Sequence, residues 1–201
     1  MEDVRRWLER SRELGFLGPG PVDDHVEHAL GFAEVVGEEP EAVVDLGSGG
    51  GIPGLVLAGG WQATSFVLLD SNERRTAFLR EAVAALGWVG RVEVLRLRAE
   101  LAGRDGGLRG RFSVVVARSF GAPPVTAECA APLLRIGGRL VVSEPPGDVE
   151  RWPTEGLGLV GLRMLGRFEA RGAGFVVHEQ VEACPDRYPR REGVPAKRPL
   201  W

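Results

Sequence analysis

Apolar residues recur at helical spacing at the start of the chain and then gather into short, nearly unbroken runs. Within 3–14, Val4, Trp7, Leu8 and Leu14 fall near one face of a helix, and after a loop at 15–21 a second helix carries Val22, Val26, Ala29, Leu30 and Ala33. The period then changes. A strand at 42–46 leads to a short helix from about 53. A strand at 64–70 precedes a helix on which Phe78, Leu79, Ala82, Val83 and Leu86 recur before Gly87 stops it. Strands follow at 91–95 and 112–117, the latter (Phe112-Ser113-Val114-Val115-Val116-Ala117) apolar almost throughout, as in parallel sheets buried on both faces. Pro123 and Pro124 open a helix toward Leu133, Gly137-Gly138 marks a turn, and a strand occupies 139–143. Strands near 159–169 and 174–182, joined through Arg171-Gly172-Ala173-Gly174, predict a closing antiparallel hairpin. The alternation predicts one α/β domain over 1–201, with a helical cap at 1–40, a Rossmann-like core at 41–185 and a basic, proline-rich tail at 186–201.

The loop after the first strand carries the candidate chemistry. Val43-Val44-Asp45-Leu46-Gly47-Ser48-Gly49-Gly50-Gly51-Ile52-Pro53-Gly54 is a buried strand, a glycine turn and a helix start, with Pro53 suited to the first helical turn. The second strand ends at Asp70, where a carboxylate can accept both hydroxyls of a ribose, so the pair names an adenosine ligand. A phosphate-binding loop needs Lys and Ser or Thr after the last glycine, yet Ile52-Pro53 stands there and the only lysine is Lys197. Dinucleotide loops read G-x-G-x-x-G, whereas this one reads G-x-G-x-G behind Asp45. A carboxylate there repels pyrophosphate and favours an ammonium and a sulfonium, which points to S-adenosylmethionine.

Composition narrows the setting. With 201 residues, 44% hydrophobic, the chain can bury a sizeable core, and no apolar run approaches the roughly 20 residues that span a bilayer. The N-terminus is charged without a following apolar segment, so a cytoplasmic enzyme without membrane attachment is expected. Cys129 and Cys184 lack metal-ligand spacing and are assigned to packing, and no metal site is expected. The net charge of −3 is uneven: Arg187, Arg190, Arg191, Lys197 and Arg198 face only Asp186 and Glu192 in the tail, so any nucleic-acid footprint is local.

The chain resembles the bacterial glucose-inhibited division B family, the 16S ribosomal RNA guanine-N7 methyltransferases (RsmG-like), from about His28 onward. The likeness rests on the glycine loop with its proline, Leu69-Asp70-Ser71 with Arg75, Phe78 and Leu79, Arg98-Ala99-Glu100-Leu101, and Val116-Ala117-Arg118-Ser119-Phe120. It also takes in the tail Tyr188-Pro189-Arg190-Arg191-Glu192-Gly193-Val194-Pro195. The resemblance implies a class I S-adenosylmethionine-dependent methyltransferase fold: a mostly parallel seven-stranded sheet with the ligand at the carboxyl ends of the strands. It implies that Asp45, Gly47, Ser48, Gly49 and Gly51 line the methionine and ribose side. Asp70 with Ser71 would take the ribose, Ala99 and Glu100 would lie along the adenine, and Arg118 would face the transferring methyl as cofactor-binding and catalytic residue. Its partner would be 16S ribosomal RNA or the small ribosomal subunit, contacted by Arg190, Arg191 and Lys197 from an extended tail.

Guanine N7 has a lone pair and no proton to lose, so alignment and exclusion of water suffice and His25, His28 and His178 need not act as bases. The chain departs from the family on the substrate side. Gly15-Phe16-Leu17-Gly18-Pro19-Gly20 replaces an Asn-Leu-Thr segment. Ala29-Leu30-Gly31-Phe32-Ala33 follows His28 in place of a motif with Asp and Ser, and Ser143-Glu144-Pro145-Pro146-Gly147 puts an anion where a lysine is common. Three readings stay open from sequence: an RNA guanine-N7 methyltransferase, a methyltransferase of a small molecule or another RNA, and a cofactor-binding protein without turnover.

Overall fold

The computed structural model describes residues 1–145 and 150–201. Two helices, α1 (Glu2–Glu13) and α2 (Val22–Val36), precede β1 (Ala42–Leu46), α3 (Gly54–Gly60), β2 (Ser65–Asp70), α4 (Glu73–Ala85) and β3 (Val92–Arg96). The chain continues through α5 (Ala99–Ala102), β4 (Phe112–Ala117), α6 (Pro123–Ala130), β5 (Leu134–Glu144) and α7 (Thr154–Gly158). It ends in β6 (Leu162–Ala170), β7 (Ala173–Gln180) and α8 (Val194–Lys197).

Among the described residues seven strands form one sheet in the order β3-β2-β1-β4-β5-β7-β6. All neighbouring pairs are parallel except those of β7, which runs against both β5 and β6. The apolar runs follow from two-sided burial. Val43, Phe66, Leu68, Val114 and Val116 join α1–α4 in one core, while Val44, Leu46, Val67, Leu69, Val115 and Ala117 join residues of α5–α7 in the other. Strand order reverses between β1 and β4, which opens a crevice at their carboxyl ends.

The structure differs from the sequence reading in local detail. Gly137-Gly138 does not precede a strand but lies inside one: β4 residues Phe112 and Val114 pair with Leu134 and Arg139, so the intervening β5 residues bulge out, with Gly137 at φ 78°. On α1, Leu14 is exposed at the C-cap and Ser11 takes the buried position, its Oγ donating to the Gly50 carbonyl at 2.8 Å. The one-turn helices α5, α7 and α8 are too short to carry a periodic signal. No helix among the described residues is long and apolar enough to cross a membrane.

His178 on β7 is fully buried against Trp152, ring centroids 4.4 Å apart, and neither ring nitrogen has a partner among the described residues. Burial, aided by the charge of Arg167, pushes its pKa down to about 3. The unfolded chain therefore takes up a proton near pH 6.5 that the folded protein refuses until about 3, and stability falls as pH drops through that window. Relative to His178→Leu, the wild type should lose on the order of 2 kcal/mol between pH 7 and 4.5 in urea titrations. Parallel stability curves would contradict a buried neutral imidazole.

Candidate functional site

The crevice at the sheet reversal is built on the loop that leaves β1. The Gly47 and Ser48 amides both donate to the Leu69 carbonyl, at 2.8 and 2.9 Å, and so stitch the loop to β2. Gly49 N–H donates to Asp70 Oδ2 at 2.9 Å, and Asn72 N–H to Asp70 Oδ1 at 2.7 Å, with Arg75 4.0 Å from the same carboxylate. Asp70 thus ties the loop to the start of α4. Gly47 has φ 79°, and a Cβ on it would stand 2.7 Å from the Phe120 ring, so backbone freedom and close approach both require glycine. Gly50 lies under Ser11 and Leu17, which brings α1 and the 15–20 segment down onto the loop.

Asp45 sits beneath this loop, only 1% exposed. Its Oδ2 accepts from Gly54 N–H at 2.9 Å, while Oδ1 has no partner among the described residues. Burial pushes its pKa up to about 7, with the charge of Asp70 adding to the rise, against the Gly54 hydrogen bond, the nearby Ser48 hydroxyl and the Arg118 charge. A Cβ on Gly54 would meet Asp45 Oδ2 at 2.5 Å, so glycine there lets α3 close over the carboxylate.

A cavity of about 490 Å³ opens beside the loop, within the usual range for small-ligand sites. Of the residues singled out in the sequence, Gly47, Asp70, Ser71, Ala99 and Glu100 line it, together with Arg75, Ser119, Phe120 and Ala196. Asp45 and Ser48 lie buried below the loop, the Ser48 Oγ donating to the Asp45 carbonyl at 2.9 Å. Gly51 faces Leu55 of α3. Glu100 is buried and accepts from Gly193 N–H at 2.9 Å and from Arg98 at 3.4 Å. Burial pushes its carboxyl up, but the hydrogen bonds and the Arg98 charge outweigh that and hold it below the ordinary value. A larger cleft of about 770 Å³ lies at the opposite, amino ends of the strands, around Glu41, Ala42, Ser65 and Phe112. Its arginines are committed to backbone carbonyls: Arg91 to those of Ala58, Trp61 and Thr64, Arg80 to that of Val94 and Arg111 to that of Gly107.

Arg118 follows β4 on the other side of the loop. Its guanidinium lies 2.9 Å from His25 Nδ1, and His25 Nε2 lies 3.2 Å from the Gly18 carbonyl. Because the guanidinium only donates, His25 Nδ1 accepts from it while Nε2 faces the Gly18 carbonyl, so His25 serves as an anchor that holds Arg118. His28 packs on Phe32 and Phe175, and burial, then the charge of Arg118, push its pKa down to about 4. The departure after His28 has a steric basis: a Cβ on Gly31 would stand 2.7 Å from the Phe175 ring, which stacks edge-on against Phe32 at 4.8 Å. Glu144 is not on the cavity wall; its carboxylate is paired with Arg151 at 2.8 Å, which neutralises the anion expected there. Pro146 and Gly147 of that segment lie outside the described residues.

The tail differs from an extended basic stripe. Pro195 sits in the first turn of α8, and Arg190 turns inward onto Glu128, while Arg191 and Lys197 are exposed. Sequence reasoning missed His25, Ser11, Phe120 and Ala196 as parts of the site. The one signal available was a polar Ser11 on an apolar helix face. Among the described residues no group of three or more His, Cys, Asp or Glu is arranged to hold a metal ion.

The geometry can be set beside known proteins. A sequence profile described as rRNA small subunit methyltransferase G matches residues 21–144. Proteins named ribosomal RNA small subunit methyltransferase G are similar over most of their length. That of Rubrobacter xylanophilus is 36% identical, with 95% of this chain and 78% of that protein covered. That of Syntrophomonas wolfei is 33% identical, with 90% and 87% covered. Among solved structures, cofactor-bound Rv0187 from MTB superposes with a TM-score of 0.63 at 17% identity, over 90% of this chain and 91% of that one. A putative O-methyltransferase from Klebsiella pneumoniae gives 0.61 at 14%, over 88% and 89%. These likenesses show the class I methyltransferase fold.

Proposed function

This chain belongs to the rRNA small subunit methyltransferase G family, and we propose that it methylates guanine N7 of small-subunit ribosomal RNA with S-adenosylmethionine as methyl donor. The observation that carries the donor assignment is the buried Asp45 carboxylate with one unpartnered oxygen beneath a glycine loop, next to Asp70 on the cavity wall. The residues fit such a ligand. Asp45 offers negative potential to an ammonium and a sulfonium, Asp70 and Ser71 offer acceptors to ribose hydroxyls, and Ala99 with Leu97 gives the cavity an apolar flank for a base. When bound, the donor supplies an electrophilic methyl group on a sulfonium.

The protein's own residues then have little proton work to do. N7 carries a free lone pair, so the site must position the base, keep water out and present no competing nucleophile. Arg118, fixed by His25, is the cation at the end of β4 available to orient an electron-rich base edge or a flanking phosphate. His28, held neutral by burial, and His25, whose Nδ1 is taken by Arg118, are not placed as bases. Exposed Arg191 and Lys197 supply phosphate contacts next to the cavity. The ion pair between Glu144 and Arg151 leaves no lone anion at the end of β5 to repel a phosphate.

The test is nucleoside mass spectrometry of 16S rRNA from cells with and without the gene. Loss of one 7-methylguanosine is expected, and an unchanged nucleoside profile would overturn the RNA assignment. With purified protein saturated with donor, single-turnover methyl transfer should be flat between about pH 6 and 8, where a histidine base would titrate. A step in that profile, lost in His28→Ala, would point to a base and a different target atom.

A further inference from the structure

The segment after β7 lies beyond the 21–144 match, yet it is fastened to the rest of the fold at several points and reaches the cavity at Glu100. Arg109, from the loop before β4, donates to the carbonyls of Gly103 and Tyr188, both at 2.8 Å, and to those of Cys184 at 2.6 Å and Pro185 at 3.2 Å. Two residues past Tyr188, Arg190 meets Glu128 of α6. Its backbone N–H and Nε donate to Oε1, each at 2.8 Å, and its terminal nitrogen donates to Oε2 at 2.6 Å. The same terminal nitrogen donates to the Arg198 carbonyl at 2.7 Å, which folds the tail back on itself.

Glu128 is 0% exposed, and a buried carboxylate without a bidentate cation would carry a large desolvation cost, so α6 and the tail require each other. Past this pair, Gly193 N–H donates to Glu100 Oε1 at 2.9 Å, and α8 then sets Ala196 on the cavity wall. The α6 side of the pair continues the loop of Ser119, Phe120 and Ala122 that forms the facing wall. One ion pair thus fixes two walls of one cavity.

Resting on the reading that this cavity holds S-adenosylmethionine, we propose that the segment 193–197, through Gly193 and Ala196, is its closing wall and that Arg190 is a positioning residue for the donor, acting through Glu128 and α8. Arg190 then works on cofactor affinity, and RNA phosphate contact is left to exposed Arg191 and Lys197.

Calorimetry on the full chain with S-adenosylhomocysteine and S-adenosylmethionine tests this. Absence of binding by the wild type would defeat the reading of the cavity itself. Given wild-type binding, Arg190→Gln should raise both dissociation constants about tenfold or more and leave the salt slope of RNA binding unchanged. Arg191→Gln should do the reverse, flattening that slope by about one counterion while keeping cofactor affinity. Ala196→Phe, at an exposed position without side-chain hydrogen bonds, should also cost about tenfold in cofactor affinity with an unaltered thermal midpoint. Pairing Arg190→Gln with Glu128→Gln replaces the ion pair by an amide pair and should restore part of the loss. Wild-type cofactor affinity in the folded Arg190→Gln and Ala196→Phe proteins would overturn the proposal, as would a salt slope that falls with Arg190 instead of Arg191.

Discussion

Asp45→Asn is expected to weaken S-adenosylmethionine binding by about 2–3 kcal/mol, the scale of a hydrogen-bonded charge lost from a buried site. It should also erase a pH dependence expected of the wild type. Burial first, and the charge of Asp70 with it, set the Asp45 pKa at about 7, so near neutral pH the unliganded protein holds this carboxyl partly protonated. A bound cation favours the ionised form. Affinity should therefore rise as pH increases through about 7 and level off above it, with proton release on binding below that point. The stability of the unliganded protein moves the opposite way. A raised carboxyl pKa stabilises the fold fully below the unfolded value of 3.8, and that contribution is lost as pH climbs to about 7. Calorimetry between pH 5.5 and 8.5 in buffers of different ionisation enthalpy reads these effects. Equal affinity and an equal proton count for wild type and Asp45→Asn would remove Asp45 from donor binding. The flat single-turnover profile at saturating donor is compatible with this slope, because the liganded protein keeps Asp45 ionised throughout.

Asp70→Ala should reduce both affinity and stability. Its carboxylate holds Gly49 N–H at 2.9 Å and Asn72 N–H at 2.7 Å while it faces the cavity, so truncation frees the loop and the N-cap residue of α4 together. Each hydrogen bond to a charged group contributes about 1.5–3 kcal/mol, and partial solvation of the freed amides leaves a net loss of stability of about 2–4 kcal/mol. Asp70→Asn keeps one acceptor oxygen and should fall between wild type and alanine in both measurements. Thermal unfolding and calorimetry separate the two roles. A lower midpoint with unchanged donor affinity of the folded protein would reduce Asp70 to a tether of the loop.

What the sequence determined was whatever local pattern controls. Strands such as 42–46 and 112–117 are covered on both faces, so their side chains are apolar in unbroken order and legible without partners. The turn after β1 needs positive φ at Gly47, Gly49 and Gly51, so the loop declared itself by composition, and the hairpin of β6 and β7 by its glycine turn. The tertiary structure decided everything that joins distant segments. Gly137 could signal a turn or a bulge, and only the pairing of β5 with β4 chose the bulge. Arg118 and His25 lie 93 positions apart, and nothing near either residue announces the other. Arg190 read as a surface charge because Glu128, 62 positions away, looked like an ordinary helix carboxylate until α6 was packed against the sheet. A charged side chain carries no mark in the sequence of whether it will meet water or an opposite charge. Desolvation sets that outcome, and it exists only once the chain has folded.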